Sequence, residues 1–440
     1  MKVRIVDDLH PEDLAMVQAL YSRSSASVEE HLAKVARVGS CKFMQQYYVN
    51  YGHASIGDCG STTVFLEGVS TLVAKAVQDW PLYSGQEAST RYMDFSAAAY
   101  DDPAGTPVSK AIQERWLALY ARARPIVHKH LAATLPRRGD GVAYDRALVA
   151  RTFDVCRSLL PAGVRTNLSW TTNLRQAADK LRWLGAHPLR AARLAGCEVE
   201  DALRVRYPHS FPAALPEDRE AWREAASTRY YVDSLPGELR VDQLAAALDA
   251  DVGLLREALP ALRSRPRGAE MPPWMAEVGV ARTAFLLDYG SFRDLQRHRA
   301  GTVRASLLTT ARGFHPWYLE QMPTAFRGEV EESLSEQELA IDRLGLPLED
   351  FQNYVAMGYL VQCRVTQALP YLVYRLELRT RKTVHPTLRQ VAQREARWLV
   401  AELRALLDED LPLHVDLDED DWDVRRGAQT IERRDAGGAP

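Results

Sequence analysis

Residues 62–72 read TTVFLEGVSTL, and this stretch decides the fold class. From Thr63 to Leu66, and again at Val69, bulky and β-branched side chains alternate, which is typical of a strand. We expect that strand to lead directly into a helix. A second strand-like run, VGVARTAFLLDY, spans residues 278–289. Two such runs among helical segments predict an α+β protein with two pseudo-repeated domains, each a small mixed or antiparallel sheet flanked by helices.

The segments around these runs have helical spacing. Apolar residues recur every three or four positions over residues 11–49, 108–131 and 142–205, and again from 290 to about 407. Prolines frame an Arg/Gly stretch near residues 260–275, which is the best candidate for a linker. Six acidic residues between 416 and 423 predict a solvated acidic end.

A short motif occurs twice in the chain. HPLR at 187–190 and HPTLR at 385–389 each follow an arginine-rich amphipathic helix and precede another helix. The echo indicates a duplication with a boundary near residues 215–275. We therefore expect a first copy over 1–205, a linker or insert over 206–270, a second copy over 271–407 and an acidic tail over 408–440.

Composition excludes several classes of protein. With 46% hydrophobic and 26% charged residues, the chain of 440 residues matches the soluble globular average and not a disordered protein. A net charge of −3 argues against a dedicated nucleic-acid binder. Five scattered cysteines without a C-x-x-C pair predict neither a disulfide framework nor a zinc site. With no apolar leader and no long apolar run, we expect a cytoplasmic protein without membrane segments.

The first candidate site is SGQEASTRY at residues 84–92. In an extended backbone Glu87, Ser89 and Arg91 point to the same side, because side chains alternate along a strand. A carboxylate, a hydroxyl and a guanidinium on one face can bind a phosphorylated sugar. The alternative is a helix on which Glu87 and Arg91 form an ordinary surface pair four residues apart, and spacing alone favours it.

The second candidate is RDLQRHR at residues 293–299. The adjacent cationic or titratable groups Arg297, His298 and Arg299 repel one another unless an anion lies nearby. A pyrophosphate or a nucleotide monophosphate would supply that charge. The alternative is a solvated basic helix end that complements the helix dipole.

Two smaller candidates are less specific. His53, in GHAS at 52–55, could stack on a planar ring or bond a cofactor, but a helix cap after Gly52 is the simpler interpretation. Asn173 and Arg175 do not share a helix face, so they would serve different ligands or none. The sequence contains no phosphate-binding P-loop, dinucleotide fingerprint, zinc-protease motif or nucleophile elbow.

Together these segments resemble the flavin-dependent thymidylate synthase family. That family's signature is R-H-R-x-x-S-x-N-E-x-S-x-R-Y, preceded by G-H-x-S. The first half of the chain matches G-H-x-S at 52–55 and the later part of the signature at 84–92, with Gln86 in the Asn place. The R-H-R places are instead Asp79, Trp80 and Pro81.

The second half of the chain has the opposite pattern. It keeps the R-H-R element at 297–299, and then diverges over 302–309, which read TVRASLLT. Segments 157–190 and 364–389 both resemble the C-terminal helices of the family. The chain therefore looks like two fused copies that retain complementary parts of one signature.

The resemblance implies FAD as the cofactor, with NADPH and methylenetetrahydrofolate as further reactants and C5 of dUMP as the ancestral acceptor. It also implies a homodimer of two-copy chains that bind small molecules, and it assigns no catalytic residue. The residues it implies for the cofactor are His53, Ser55, Asn173, Arg297, His298 and Arg299. Those it implies for the substrate are Gln86, Glu87, Ser89, Arg91 and Arg175.

Three functions stay open at this point. Because each copy lacks half of the signature, we expect one-carbon or hydride transfer that has diverged from plain dUMP methylation. The second hypothesis is a catalytically inactive scaffold that binds flavin or a nucleotide. The third is an unrelated α+β protein in which the spacings coincide by chance.

Overall fold

The computed structural model describes residues 4, 6–50, 52–91, 93–138, 141–211, 217–232 and 239–424. Tyr92, part of the predicted insert and the end of the predicted tail therefore lie outside the described residues. The α-helices are, in chain order, α1 (Pro11–Tyr21), α2 (Val28–Val38), α3 (Cys41–Phe43), α4 (Thr71–Gln78), α5 (Pro107–Thr134), α6 (Gly141–Cys156), α7 (Leu174–Gly185), α8 (Arg190–Arg206), α9 (Glu217–Ser227), α10 (Val252–Arg263), α11 (Tyr289–Leu295), α12 (Pro316–Glu320), α13 (Thr324–Asp342), α14 (Leu348–Phe351), α15 (Leu369–Arg379) and α16 (Pro386–Leu407).

The strands form two small antiparallel sheets. They are β1 (Ser61–Ser70), β2 (Arg165–Asn173), β3 (Ala245–Ala250), β4 (Gly279–Asp288), β5 (Thr302–Ala305) and β6 (Leu360–Ala368). One sheet pairs β1 with β2, and the other has the order β3-β4-β6-β5. The predicted α+β class, with small sheets flanked by helices, is confirmed. No helix in the described ranges is both long and apolar enough to cross a membrane.

The chain divides into two compact units. Unit 1 comprises residues 1–88 and 164–231 and contains the sheet β1-β2, whereas unit 2 comprises residues 89–163 and 232–440 and contains the four-stranded sheet. Each unit is a discontinuous stretch of sequence, because the chain leaves unit 1 after Ala88 and returns to it at Val164.

In unit 1 the predicted strand at 62–72 is confirmed as β1, and it continues without a loop into α4. Gly68, at a φ of 70°, forms a bulge between the pairs Leu66–Leu168 and Val69–Thr166. Its N–H donates to the Asn167 side chain at 2.8 Å. Ser70 then starts α4, since its side chain accepts from the N–H of Val73.

β2 corrects the expectation that residues 142–205 are helical throughout. The strand buries Thr166, Leu168, Trp170 and Thr172 on one face, which is a period of two. Two of those four inward residues are threonines, so the apolar pattern of the sequence did not alternate. In the second half, β5 and β6 likewise interrupt a region that was expected to be helical.

In unit 2 the predicted strand at 278–289 is confirmed as β4. It is central in its sheet, and Asp288 at its end accepts from the N–H of Ser291 and so starts α11. The apolar faces of α10, α15 and α16 pack together in one core of this unit, with Leu255, Leu372 and Leu399 buried. The strand-then-helix order of β1-α4 is thus repeated in β4-α11, and that of β2-α7 in β6-α15.

Two turns of unit 2 pair with each other. Residues 160–162 lie antiparallel to 355–357, with Ala162 N–H donating to Val355 O at 2.9 Å and Met357 N–H to Leu160 O at 2.8 Å. Each turn follows a short 3₁₀ helix and precedes one of the corresponding strands β2 and β6. The pairing brings equivalent points of the two halves of the sequence together.

Candidate functional site

Arg91 is held in unit 2 by a buried carboxylate. Its Nε and Nη2 donate to Asp154 Oδ1 and Oδ2 at 2.7 and 3.2 Å, a bidentate pair. The Asp154 side chain is fully buried on α6, and that of Arg91 is 14% exposed. The Arg91 N–H also donates to Ser89 Oγ at 3.3 Å. Residues 84–91 are not helical, so the alternative of a surface pair on a helix is wrong.

Asp294, on α11, lies at the centre of a group of arginines in the same unit. Arg157 Nη1 is 3.5 Å from its Oδ2, and Arg297 Nε is 3.7 Å from its Oδ1. Burial alone would raise the pKa of Asp294, but nearby positive charges outweigh burial and hold the pKa far below its usual range. The guanidinium groups responsible are those of Arg157, Arg91, Arg297 and Arg379.

His298 is a neutral hydrogen-bond acceptor. Arg379, at the end of α15, donates from Nε to His298 Nε2 at 2.7 Å and from Nη2 to Asp294 O at 2.7 Å. Burial, with further help from the Arg379 charge, lowers the pKa of His298 to about 2. Because Nε2 accepts, the single ring proton lies on Nδ1. The repulsion expected among three adjacent cations is therefore reduced to that between Arg297 and Arg299.

A buried polar network is hydrogen-bonded to Arg157, one of the arginines around Asp294. Asp288 accepts from the hydroxyl of Tyr318 at 2.7 Å, and Ser291 Oγ lies 3.1 Å from His385 Nδ1. Arg157 Nη2 donates to the same Ser291 oxygen at 3.1 Å. Burial lowers the pKa of His385 to about 3, so this ring is also neutral. The network fixes Arg157 without adding positive charge of its own.

Guanidinium groups outnumber carboxylates in this part of unit 2. We call the group the arginine cluster and define it by Arg91, Arg157, Arg293, Arg297 and Arg379, with the carboxylates Asp154, Asp288 and Asp294. Five cations against three anions leave positive charge that is only partly compensated, and burial makes such charge costly. The arrangement favours an anionic ligand such as a phosphate, which guanidinium groups bind bidentately.

The cluster contains a donor atom that is not used. Arg157 Nε is buried and has no hydrogen-bond partner among the described residues. Arg297 is half-exposed, with a side chain 53% accessible, whereas the other members are largely buried. An anion that arrives from solvent would therefore meet the exposed Arg297 before the buried members of the cluster.

In unit 1, residues 84–88 run along the edge of β2. Thr171 and Ser169 donate their N–H groups to Ser84 O and Gln86 O at 2.7 and 2.8 Å. A Cβ at Gly85 would lie 1.9 Å from Ser169 O, so only glycine fits there. The Glu87 carboxylate is 3.0 Å from Lys75 Nζ and accepts from Gln78 at 2.8 Å.

The remaining predicted residues of unit 1 lie around the start of α7. Asn173 caps that helix, since its side chain accepts from the N–H of Gln176 at 2.9 Å. Arg175 Nε donates to Asp58 at 2.8 Å, and Asp58 belongs to the same 3₁₀ helix (Ala54–Cys59) as the exposed Ser55. His53 precedes that helix and is partly buried.

The structure therefore sorts the eleven predicted residues into two sets. Unit 2 contains Ser89, Arg91, Arg297, His298 and Arg299, and unit 1 contains His53, Ser55, Gln86, Glu87, Asn173 and Arg175. Sequence reasoning missed the roles of Asp154, Asp294 and Arg379. Asp294 and Arg379 do leave a signal, because each stands within four residues of another charged residue at a helix end. Asp154 leaves none.

No metal centre is found in the parts of the chain that the structure describes, where no three His, Cys, Asp or Glu side chains come together as ligands. The five cysteines are all free. Burial raises the pKa of the Cys156 and Cys363 thiols well above the usual value, which keeps both in the unreactive protonated form.

Comparison with known proteins identifies relatives that match 80% of the chain and a family model that matches residues 4–195. Residues 4–195 match the model of a family described as thymidylate synthase complementing protein. A UPF0159 protein of Chlamydia pneumoniae is 25% identical over 80% of this chain and 76% of its own length. UPF0159 proteins of Chlamydia muridarum and Thermoplasma acidophilum are 26% and 20% identical over 80% of this chain, and over 77% and 84% of their own lengths.

Proposed function

Because residues 4–195 match the model of the family described as thymidylate synthase complementing protein, we propose that this protein is a flavin-dependent enzyme of the thymidylate synthase type. Its reaction is the transfer of a one-carbon unit or a hydride to a pyrimidine nucleotide or a related small molecule. The reaction has diverged from methylation of dUMP at C5, since each half of the chain has lost part of the signature.

One observation carries the proposal. Arg91, from the signature half in the first part of the sequence, and Arg297, from the half in the second part, both belong to unit 2, and the positive charges of both lower the pKa of Asp294. Arg297 Nε is 3.7 Å from Asp294 Oδ1. The two incomplete signatures thus contribute to the same arginine cluster within one chain. An anionic substrate or cofactor bound at the cluster would meet both Arg91 and Arg297, and the excess of guanidinium groups supports such a ligand.

The donor set fits phosphate-bearing molecules. FAD carries a pyrophosphate and dUMP a phosphate, and the cluster offers the exposed Arg297 together with the orphaned Arg157 Nε. We propose that Arg91, Arg297 and Arg299 bind phosphate oxygens and that Ser89 donates its hydroxyl to the same ligand. When bound, the flavin supplies the hydride chemistry, so the task of the protein is to bind, orient and polarise.

His298 has a more specific role in this proposal. Its neutral ring, with the proton on Nδ1, can donate one hydrogen bond to a flavin or nucleotide carbonyl while Nε2 stays bonded to Arg379. In unit 1 we propose that His53, Ser55 and Asn173 contact flavin. We propose further that Gln86, Glu87 and Arg175 contact substrate. NADPH as the reductant and methylenetetrahydrofolate as the carbon donor belong to the same proposal.

We also propose that the chain is a fused tandem, with copies over 1–205 and 271–407, and that it assembles as a homodimer. The repeated order of strands and helices and the mutual pairing of the turns at 160–162 and 355–357 support a duplication. So does the capping at the strand ends, where Ser70 and Asp288 start α4 and α11 in the same way.

The test is the visible absorption spectrum of purified protein before and after denaturation. We expect a flavin band that corresponds to one FAD per chain and is released on unfolding. A colourless protein that also takes up no added FAD would contradict the proposal. A protein that holds FAD but fails to restore thymidine-independent growth to a thymidylate synthase-deficient strain, and shows no oxidation of reduced flavin by dUMP, would favour the inactive scaffold or another acceptor.

A further inference from the structure

The acidic segment at residues 411–424 is not the solvated end that its composition indicates. We call it the clasp. The clasp packs on the rest of unit 2 at two places. Its side chains and backbone bond residues of α6, of α16 and of the connection between α15 and α16.

The first anchor is the connection after α15. Thr380 Oγ1 accepts from the Asp416 N–H at 3.0 Å, and Thr380 O accepts from Arg389 Nε at 2.7 Å. Arg389 also donates from Nη2 to Asp418 O at 2.6 Å, and Lys382 Nζ is 2.6 Å from Asp418 Oδ2. Thr380 directly follows Arg379, the residue that bonds Asp294 O and His298.

The second anchor is formed by Pro136, which lies between α5 and α6, and by Arg151 of α6. Trp422 is 5% exposed and donates from Nε1 to Pro136 O at 3.0 Å. Arg151 Nη2 donates to Asp421 O at 2.8 Å, and its guanidinium lies 5.7 Å from the Trp422 ring. One turn further along α6, Asp154 holds Arg91.

The clasp therefore connects the two supports of the arginine cluster. One support carries Arg379 and the other carries Asp154, and each is bonded to the clasp within one helical turn of those residues. We infer that the clasp is a positioning element that keeps Arg379 and the Arg91–Asp154 pair at the spacing that the anionic ligand requires. The inference rests on the proposed function only for the identity of that ligand.

The buried Trp422 contributes more to holding the clasp in place than the exposed ion pairs do. The Asp418 side chain is 56% exposed, and ion pairs at such sites contribute little because solvent screens them. Trp422, in contrast, removes a large aromatic surface from water and leaves Pro136 O unpaired when it is lost. Trp422→Ala is therefore the decisive variant.

The experiment compares full-length Trp422→Ala with Trp274→Ala, which removes a half-exposed tryptophan of the same unit. Hydrogen exchange without ligand should be faster in Trp422→Ala over residues 380–389 and 150–157, and not only over the clasp. Binding of dUMP and of inorganic pyrophosphate should weaken by about 2- to 30-fold, the range for changes along a coupled network. Trp422→Phe, which keeps the ring, should restore most of the affinity.

The readouts separate the two proposals. If wild-type protein binds neither dUMP nor pyrophosphate, the proposed function fails, and hydrogen exchange alone still decides whether the clasp orders the two supports. Faster exchange confined to residues 411–424, or anion affinity equal to that of Trp274→Ala, would overturn the inference. A global loss of structure in Trp422→Ala shifts the decision to Asp416→Asn, which removes the negative charge that faces Arg389 and should act in the same direction.

Discussion

Replacing Arg297 by alanine should weaken anion binding and leave the fold almost unchanged. Its side chain is 53% exposed, and its ion pair with Asp294 is long, at 3.7 Å. Exposed ion pairs contribute about 0–1 kcal/mol, so the free energy of unfolding should fall by no more than about 1 kcal/mol. A hydrogen bond to a charged phosphate is worth about 1.5–3 kcal/mol, which corresponds to about 12- to 160-fold weaker binding of dUMP.

The assay is calorimetric titration with dUMP, together with urea unfolding of the same preparation. Arg263→Ala is the matched control, because that side chain is 58% exposed and pairs with Glu409 in the same unit. The reasoning would be refuted if Arg297→Ala bound dUMP as tightly as Arg263→Ala. It would also be refuted if Arg297→Ala lost several kcal/mol of stability, since Arg297 would then be a structural residue.

Other changes separate stability from binding. Arg91→Ala leaves the buried Asp154 without its bidentate partner, so the unfolding free energy in urea should fall by about 3–5 kcal/mol, and a loss below about 1 kcal/mol would contradict a buried pair. The pKa of His298 is lowered to about 2 and that of His385 to about 3, so the unfolded state binds more protons below pH about 6.5. Stability should therefore fall with pH from about 6.5 towards 3, by about 1.4 kcal/mol per pH unit for each histidine, and His298→Gln should reduce that slope in melts at pH 7, 6 and 5. Lys180 donates to two carbonyls near the end of α4, so Lys180→Met should cost about 1–3 kcal/mol in urea unfolding without changing dUMP affinity.

The elements that the sequence predicted best are those in which the pattern of apolar residues along the chain shows which side chains are buried. β1 and β4 alternate or carry β-branched residues, and both lead directly into capped helices. β2 could not be predicted in this way, because threonines at 166 and 172 share its buried face with Leu168 and Trp170. Polar residues on an inward face conceal a period of two, and only tertiary packing shows it.

The residues of the candidate site likewise differ in whether a sequence pattern indicated them. Arg91 and Arg297 could be predicted because cationic side chains stood in a spaced pattern that resembles a known signature. Asp154 was not predicted, because it is not part of that signature and gains its role only when Arg91 reaches it in the folded chain. The division into two discontinuous units was likewise invisible, because no change of composition marks Ala88 or Val164.

The proposed duplication would explain why each half of the sequence could lose what the other keeps. With both copies in one chain, one intact set of residues would suffice for the arginine cluster, and the second set would be free to change. Unit 1 has lost the R-H-R element, because Asp79 and Trp80 stand in two of its places. In the same unit Lys180 Nζ donates to Ala76 O and Asp79 O at 2.7 and 2.9 Å. Burial lowers the pKa of Lys180 to about 8, and the Trp80 ring lies 5.8 Å from its ammonium. That lysine is occupied by backbone carbonyls, and the arginine cluster lies in unit 2, which is why we expect one FAD for each chain and not two.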